Sequence, residues 1–252
     1  MSKNIFITGA SSGIGKALAM EFARRGYSLA LAARRVDSLA ALKQAIVSAH
    51  PNLRVEVRAL DVTQTETVAP LLQELAATLD GLDIVVANAG IGDGGGIVGT
   101  SPFAKDRALI ETNVLGAMAT IDAAVTLFRA QKRGQIVAIS SVAAARGLPG
   151  AGAYSASKAA IAVYADAVRA ELHRTAIRVT TLFPGYIDTP INQRMRSRPF
   201  LIGVEHGAVL IANLIERRVQ SSAVPVFPWN LMMGLLRILP TGILAKQNPF
   251  KE

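Results

Sequence analysis

A doubly wound α/β domain, with a mainly parallel seven-stranded sheet covered by helices on both faces, is predicted by three observations. Short apolar runs alternate strictly with amphipathic stretches of helical length. Those runs stay apolar along their length, as strands buried on both faces must. A glycine-rich turn joins the first strand to the first helix, and right-handed crossovers then complete the winding. At 252 residues and 51% hydrophobic composition the chain can bury the core of one such domain. No linker and no repeat divides it, so residues 1–252 read as one domain.

Residues 4–8 (NIFIT) form the first strand, rich in β-branched and aromatic side chains, and residues 13–25 the helix after the glycine turn. A buried second strand at 28–33 leads to a helix at 38–49. Residues 54–59 alternate in polarity and form the third strand; residues 65–79 are helical, and 83–87 form the fourth. A long helix over 105–131 precedes a fifth strand at 135–139. A helix at 154–174, a sixth strand at 177–182, a helix at 205–219 and a seventh strand at 223–227 complete the set.

Composition excludes several classes of function. The chain has no cysteine, so a disulfide scaffold, a cysteine zinc site and a thiol nucleophile are all ruled out. Net charge is +9, but the basic residues are scattered and the densest groups are short: Arg34-Arg35, Arg194 to Arg198 and Arg217-Arg218. Aromatics at 5% are too few for a base-stacking platform, so no nucleic-acid partner is expected. His50, His173 and His206 have no ligand spacing, and no metal is expected. The first residues lack the basic start and long apolar run of a signal peptide. No run of 18 apolar residues reads as a spanning helix, and a reducing, cytoplasmic setting is the expectation.

The first strand runs into Thr8-Gly9-Ala10-Ser11-Ser12-Gly13-Ile14-Gly15 at the position where a dinucleotide site is built. Gly9 permits the tight turn, Gly13 lets the backbone approach a pyrophosphate, and Gly15 lets helix and strand pack closely. The phosphates would face free N–H groups at the helix N-terminus. An NAD site places a carboxylate at the end of the second strand, about 20 residues on. That strand ends Ala32-Ala33-Arg34-Arg35, and guanidinium groups suit the 2′-phosphate of NADP(H) through bidentate hydrogen bonds. The competing reading is a solvated basic corner; Asp37 lies past the strand end and suits the start of the next helix.

Together with Asp61-Val62, Asn88-Ala89-Gly90, Asn113, Ser141, Tyr154 with Lys158, and Pro184-Gly185 with Thr189, the TGxxxGxG spacing resembles the short-chain dehydrogenase/reductase family over residues 1 to about 227. The resemblance implies that Asp61 and Val62 hold the adenine and that Asn88, Ala89 and Gly90 lie beside its ribose. It also implies that Pro184, Gly185 and Ile187 cover the nicotinamide, with Thr189 near its carboxamide or the phosphates. Ala87 departs from the family's usual asparagine.

Tyr154 and Lys158 stand one helical turn apart and project from one face. The phenol, at a pKa near ~10, needs a nearby ammonium and an oxidised nicotinamide to bring it toward neutral pH. Ser141, 13 residues before Tyr154 as in the family, would hold the substrate oxygen; the adjacent Ser140 lacks that spacing and should face the other way. Asn113 resembles the family's helix asparagine that supports a proton-relay water. The implied activity is NADP(H)-dependent interconversion of a carbonyl and a secondary alcohol. The alternative is a dinucleotide-binding regulator or scaffold without turnover, which would need the glycine turn alone. A nucleotide-sugar epimerase is disfavoured because the chain lacks room for a larger C-terminal substrate domain.

Substrate choice should rest on residues 92–96, 142–150 and a lid at 188–203, where Arg194, Arg196 and Arg198 either attract an acidic substrate or form a solvated surface. Relatives pair through the two long helices, so a homo-oligomer, dimer or tetramer, is expected. Residues 228–252 form an apolar extension. Pro228 can open a helix and Pro240 stop it, giving about three turns or roughly 18 Å, too short to span a bilayer. Three placements are open to it: over the substrate cleft as a wall for a lipophilic substrate, against another subunit, or on a membrane surface as a peripheral contact.

Overall fold

Alternation within each strand decides which helices cover which face. The computed structural model describes residues 3–92, 96–193, 195 and 197–245. In it, β1 (Asn4–Thr8) sends Ile5 and Ile7 into one core and Phe6 into the other. The remaining strands are β2 (Ser28–Ala33), β3 (Val55–Ala59), β4 (Ile84–Ala87), β5 (Gly134–Ile139), β6 (Ile177–Pro184) and β7 (Ser221–Val224). Their order is β3-β2-β1-β4-β5-β6-β7, with every neighbouring pair parallel. Between them run α1 (Gly13–Arg24), α2 (Val36–Ala49), α3 (Thr65–Thr78), α4 (Phe103–Ile110), α5 (Gly116–Gln131), α6 (Gly152–Glu171) and α7 (Val204–Glu216). After β7 come α8 (Val226–Ile238) and α9 (Thr241–Ala245).

One face of the sheet packs Ile7, Leu29 and Leu31 against Leu18 and Phe22 of α1, Leu39 of α2 and Ile211 and Ile215 of α7. The other packs Phe6, Val85 and Ile136 against Leu72 and Leu75 of α3, Phe128 of α5 and Ile161 of α6. The chain leaves β1 toward β2 and returns to it at β4, so the loops after these two strands part and leave a crevice at their carboxyl ends.

Four elements differ from the sequence reading. The long helix at 105–131 is interrupted by a π turn, Glu111–Leu115, between α4 and α5. The whole run Phe103–Gln131 is long and apolar enough to cross a membrane by length and composition, which corrects the reading that no segment is. Here that apolarity serves the core, because the run packs on α3, β5 and α6. A 3₁₀ turn, Val142–Ala145, follows β5 without a periodic signal to announce it. The last strand spans 221–224 and not 223–227, since Ser221 to Val224 register with Thr181 to Pro184, and Pro225 and Pro228 cannot donate to the ladder. Helix α2 starts at Val36, which places Asp37 in its first turn.

Candidate active site

The cleft over β1 and β4 has a volume of about 460 Å³, and its wall includes every residue expected from sequence to bind the cofactor. At its phosphate end Gly9 has φ +69, and a Cβ there would stand 2.8 Å from the Ala89 Cα, so only glycine fits the turn. Ser12 begins α1 but its hydroxyl caps no helix N–H, which leaves the first amides of α1 open to an anion. Gly13, Ile14 and Gly15 line the cleft beside it. Arg35 donates to Ser11 Oγ (3.0 Å) and Ser12 Oγ (2.7 Å), so its guanidinium folds over the glycine turn. Arg34 lies exposed on the same wall.

Two short networks fix the middle of the cleft. Asp61 Oδ1 accepts from the Thr63 amide (3.1 Å) and hydroxyl (2.8 Å), which orients the carboxylate after β3 next to Val62. Asn88 Nδ2 donates to Thr8 O (2.8 Å), and Thr8 Oγ1 accepts from the Asn88 and Ala89 amides, both at 3.1 Å. The Asn88 amide thus pins the end of β4 to the glycine turn. Gly90 follows it, and a Cβ there would meet Asn113 Oδ1 at 3.1 Å and Lys158 Nζ at 3.4 Å. Ala87, where the family usually has asparagine, is buried in the core between sheet and helices.

Ser141, Tyr154 and Lys158 meet at the opposite end of the cleft. Ser141 Oγ accepts from the Ala143 amide (3.2 Å) and donates to Pro184 O (3.5 Å). Its neighbour Ser140 turns away and donates to Lys158 O (2.7 Å), as strand alternation requires. Lys158 Nζ donates to Ile139 O (3.1 Å) and lies 5.8 Å from the centre of the Tyr154 ring. Burial lowers its pKa to about 8. Burial pushes the Tyr154 phenol up, against the lowering effect of the Ser141 hydrogen bond. The expected depression of the phenol by its ammonium neighbour is therefore absent from the polypeptide alone, because desolvation outweighs it. At neutral pH the resting pair is a neutral phenol beside an ammonium.

Asn113 stands behind this cluster, outside the cleft wall, in the π turn. Its Oδ1 accepts from the Ile91 amide (2.8 Å), while Nδ2 donates to Ile91 O (2.9 Å) and Ser157 Oγ (3.2 Å). Ser157 in turn donates to Tyr154 O (2.8 Å). The side chain thus ties the loop after β4 to α6. The π turn widens the helix at this residue and turns the side chain inward.

Pro184, Gly185, Ile187 and Thr189 line the cleft above the reacting end. Asn192, which the sequence reading missed, holds their loop: its Nδ2 donates to Ile187 O (2.7 Å) and its Oδ1 accepts from the Thr189 amide (3.4 Å). A small amide after Thr189-Pro190 is the turn signal that could have found it. Leu60, Thr112 and Ile139 also line the wall, and none belongs to a motif. The 188–203 stretch is tied by an Asp188–Arg198 ion pair at 2.6 Å. Arg194 and Arg196, with residues 93–95 and 246–252, lie outside the described residues.

Above the reacting end, α8 brings its buried residues to the site. The Trp229 indole packs edge-on against Gly185, where a Cβ would stand 2.2 Å from Nε1. Tyr186 meets the indole at a tilt and Phe200 edge to face, each with ring centroids 5.8 Å away. Trp229 and Met233 join Val142, Ala145, Phe183 and Tyr186 in a separate apolar cluster. Of the placements open to the extension, the inner face of α8 packs on Gly185 and the 3₁₀ turn beside the cleft.

Comparison with known proteins gives the family. The short chain dehydrogenase family profile matches residues 3–199. An uncharacterised oxidoreductase of Mycobacterium tuberculosis is 38% identical over 245 residues, covering 97% of this chain and 96% of that protein. An NADP-dependent 3-hydroxy acid dehydrogenase of Schizosaccharomyces pombe is 32% identical, covering 74% of this chain and 72% of its own length. Among solved structures, an alcohol dehydrogenase of the archaeon Thermococcus sibiricus complexed with 5-hydroxy-NADP superposes with a TM-score of 0.80 at 28% identity, over 88% of this chain and 96% of that one. An enzyme of Burkholderia phymatum in complex with NAD superposes with a TM-score of 0.84 over 100% of this chain and 97% of its own; at 23% identity it speaks for the fold alone. The chain belongs to the short-chain dehydrogenase/reductase family of oxidoreductases.

Proposed function

We propose that the protein is an NADP(H)-dependent oxidoreductase that interconverts a lipophilic carbonyl and the corresponding secondary alcohol. The observation that carries this reading is the convergence of Ser141, Tyr154 and Lys158 at one end of a cleft whose other end offers uncapped helix amides and two arginines. That donor set fits a phosphorylated dinucleotide: amides of α1 for the pyrophosphate, with Arg34, Arg35 and Ser11 for a 2′-phosphate. When bound, the nicotinamide supplies the hydride in reduction and accepts it in oxidation.

The polypeptide handles the proton. In the reductive direction the neutral Tyr154 phenol gives its proton to the substrate oxygen as the carbonyl carbon gains hydride, and in oxidation the proton returns to Tyr154. Ser141 donates to the same oxygen and stabilises the charge that develops there. The Lys158 ammonium favours the phenolate left behind, and its hydrogen bond to Ile139 O fixes it in place. Trp229, Tyr186, Phe183 and Met233 form an apolar cluster packed behind Gly185, and its place beside the cleft supports a lipophilic substrate.

Initial rates with NADPH and NADH over a panel of ketones test the proposal. A larger kcat/KM with NADPH is expected, and Arg34→Asp should remove that preference selectively; equal or better rates with NADH overturn the cofactor assignment. Tyr154→Phe should lower kcat by at least about 10³ while cofactor binding holds. Cofactor binding without turnover on any ketone or alcohol would favour a dinucleotide-binding regulator instead.

A further inference from the structure

The inner face of α8 is used by Trp229 and Met233; among the described residues, none covers the outer face. Leu231, Leu235 and Ile238 stand at helical spacing on that outer face and are 70%, 46% and 77% exposed, with Phe227 preceding them at 79%. An apolar stripe of this kind on a surface helix marks a contact. The surrounding charge says what it contacts. Between Glu216 and Glu252 the sequence contains no acidic residue. Arg237 is exposed at the C-terminal end of the same helix, and Arg146 reaches that end, donating to Arg237 O (3.0 Å) and Thr241 Oγ1 (3.3 Å).

We propose that this face of α8 docks on an anionic membrane surface, with Leu231, Leu235 and Ile238 entering the headgroup boundary and the guanidinium groups meeting lipid phosphates. The backbone is non-helical at Phe227, and the continuous helix from Pro228 to Ile238 is about 17 Å long, short of the roughly 30 Å hydrocarbon layer, so it lies in the surface and does not cross it. A second copy of the chain fits this face less well. Helix α8 carries no carboxylate with which the Arg237 of a second copy could pair. Moreover, Phe103 and Val163, on α4 and α6, leave a separate exposed apolar surface for self-association. Docking through α8 brings the apolar cluster around Val142, Ala145 and Trp229 to the bilayer side of the molecule, since α8 packs directly on the 3₁₀ turn. The inference stands on the stripe and its charge, and does not depend on which substrate the cleft takes.

Vesicle flotation of the full chain tests it, with phosphatidylcholine vesicles prepared with and without phosphatidylserine. The protein should float with the phosphatidylserine vesicles, and binding should fall on adding salt or omitting the anionic lipid. The double variant Leu231→Asp/Ile238→Asp should bind at least about tenfold more weakly. Its thermal midpoint and NADPH affinity should match the parent, since both side chains point away from the core. Failure of the parent to float with phosphatidylserine vesicles, or equal flotation of the double variant, overturns the proposal. Self-association that the double variant abolishes, without vesicle binding by the parent, assigns the face to a second copy and overturns it equally.

Discussion

At the scale of single residues, Lys158 bears the clearest conflict between stability and activity. Burial holds its pKa at about 8, below the ordinary lysine value of 10.5, so the folded state binds its proton less tightly than the unfolded state does. Below about pH 8 both states are protonated and folding carries the full cost of a buried ammonium. Between about 8 and 10.5 the native state releases the proton first, and that cost disappears as pH rises. Lys158→Met should therefore fold at least as well as the parent at pH 7, by up to about 3 kcal/mol, with the advantage shrinking above pH 8. Denaturant unfolding at several pH values measures this, and a variant less stable than the parent at pH 7 would refute it. The same substitution should lower reductase activity steeply, because the phenolate loses its cation. Tyr154 and Lys158 were both legible from their spacing. The upward push on the phenol was not, because desolvation depends on what the fold packs around a residue.

Among the elements, the π turn does most for the site. One extra residue in the helix at Glu111–Leu115 lets the Asn113 side chain reach Ile91 with both its donor and its acceptor, and Ser157 as well. Asn113→Ala should leave the Ile91 amide and carbonyl unpaired in a largely buried place. A loss of about 2–3 kcal/mol follows, seen as a fall of about 5–10 °C in Tm. Activity should fall too, because Gly90 and Lys158 share this corner. Asn113→Asp keeps the acceptor for the Ile91 amide and should lose less stability than the alanine variant; the reverse order would show that the clamp is not what Asn113 provides. The motif marked Asn113 in advance. Hydrophobic periodicity read one unbroken helix across it, since a π turn shifts the phase by a single residue and leaves the apolar pattern on both sides intact.

For the whole molecule, the unassigned surfaces decide assembly. Val98, Phe103 and Val163 are 87%, 72% and 69% exposed, and the last two lie on helices that pack side by side. Enzymes of this family are commonly oligomeric, and this face suits a second copy. Val163→Arg should shift the chain to monomer in size-exclusion chromatography with light scattering, with the cleft and its NADPH affinity unchanged. A parent that is monomeric at micromolar concentration, or a variant with the parent's mass, would exclude the face. The C-terminal helix has a different task, since Trp229 is locked on Gly185 and the outer stripe faces away from the sheet.

By itself the sequence determined the parallel doubly wound fold and which residues gather around the cleft. These depend on local signals: strand alternation, glycines where the backbone turns, and helical spacing that puts Tyr154 and Lys158 on one face. The strand order β3-β2-β1-β4-β5-β6-β7 came from the structure, since crossover handedness alone does not fix it. Tertiary structure alone decided the rest. Asn192 closing the loop at Thr189, the apolar cluster around Trp229 and the burial of Lys158 join residues far apart in the chain or depend on solvent exclusion. The register of β7 belongs with them, since pairing with β6 moved the strand two residues ahead of where composition placed it. Long-range contact and desolvation are properties of packing, and no pattern along the chain encodes them one residue at a time.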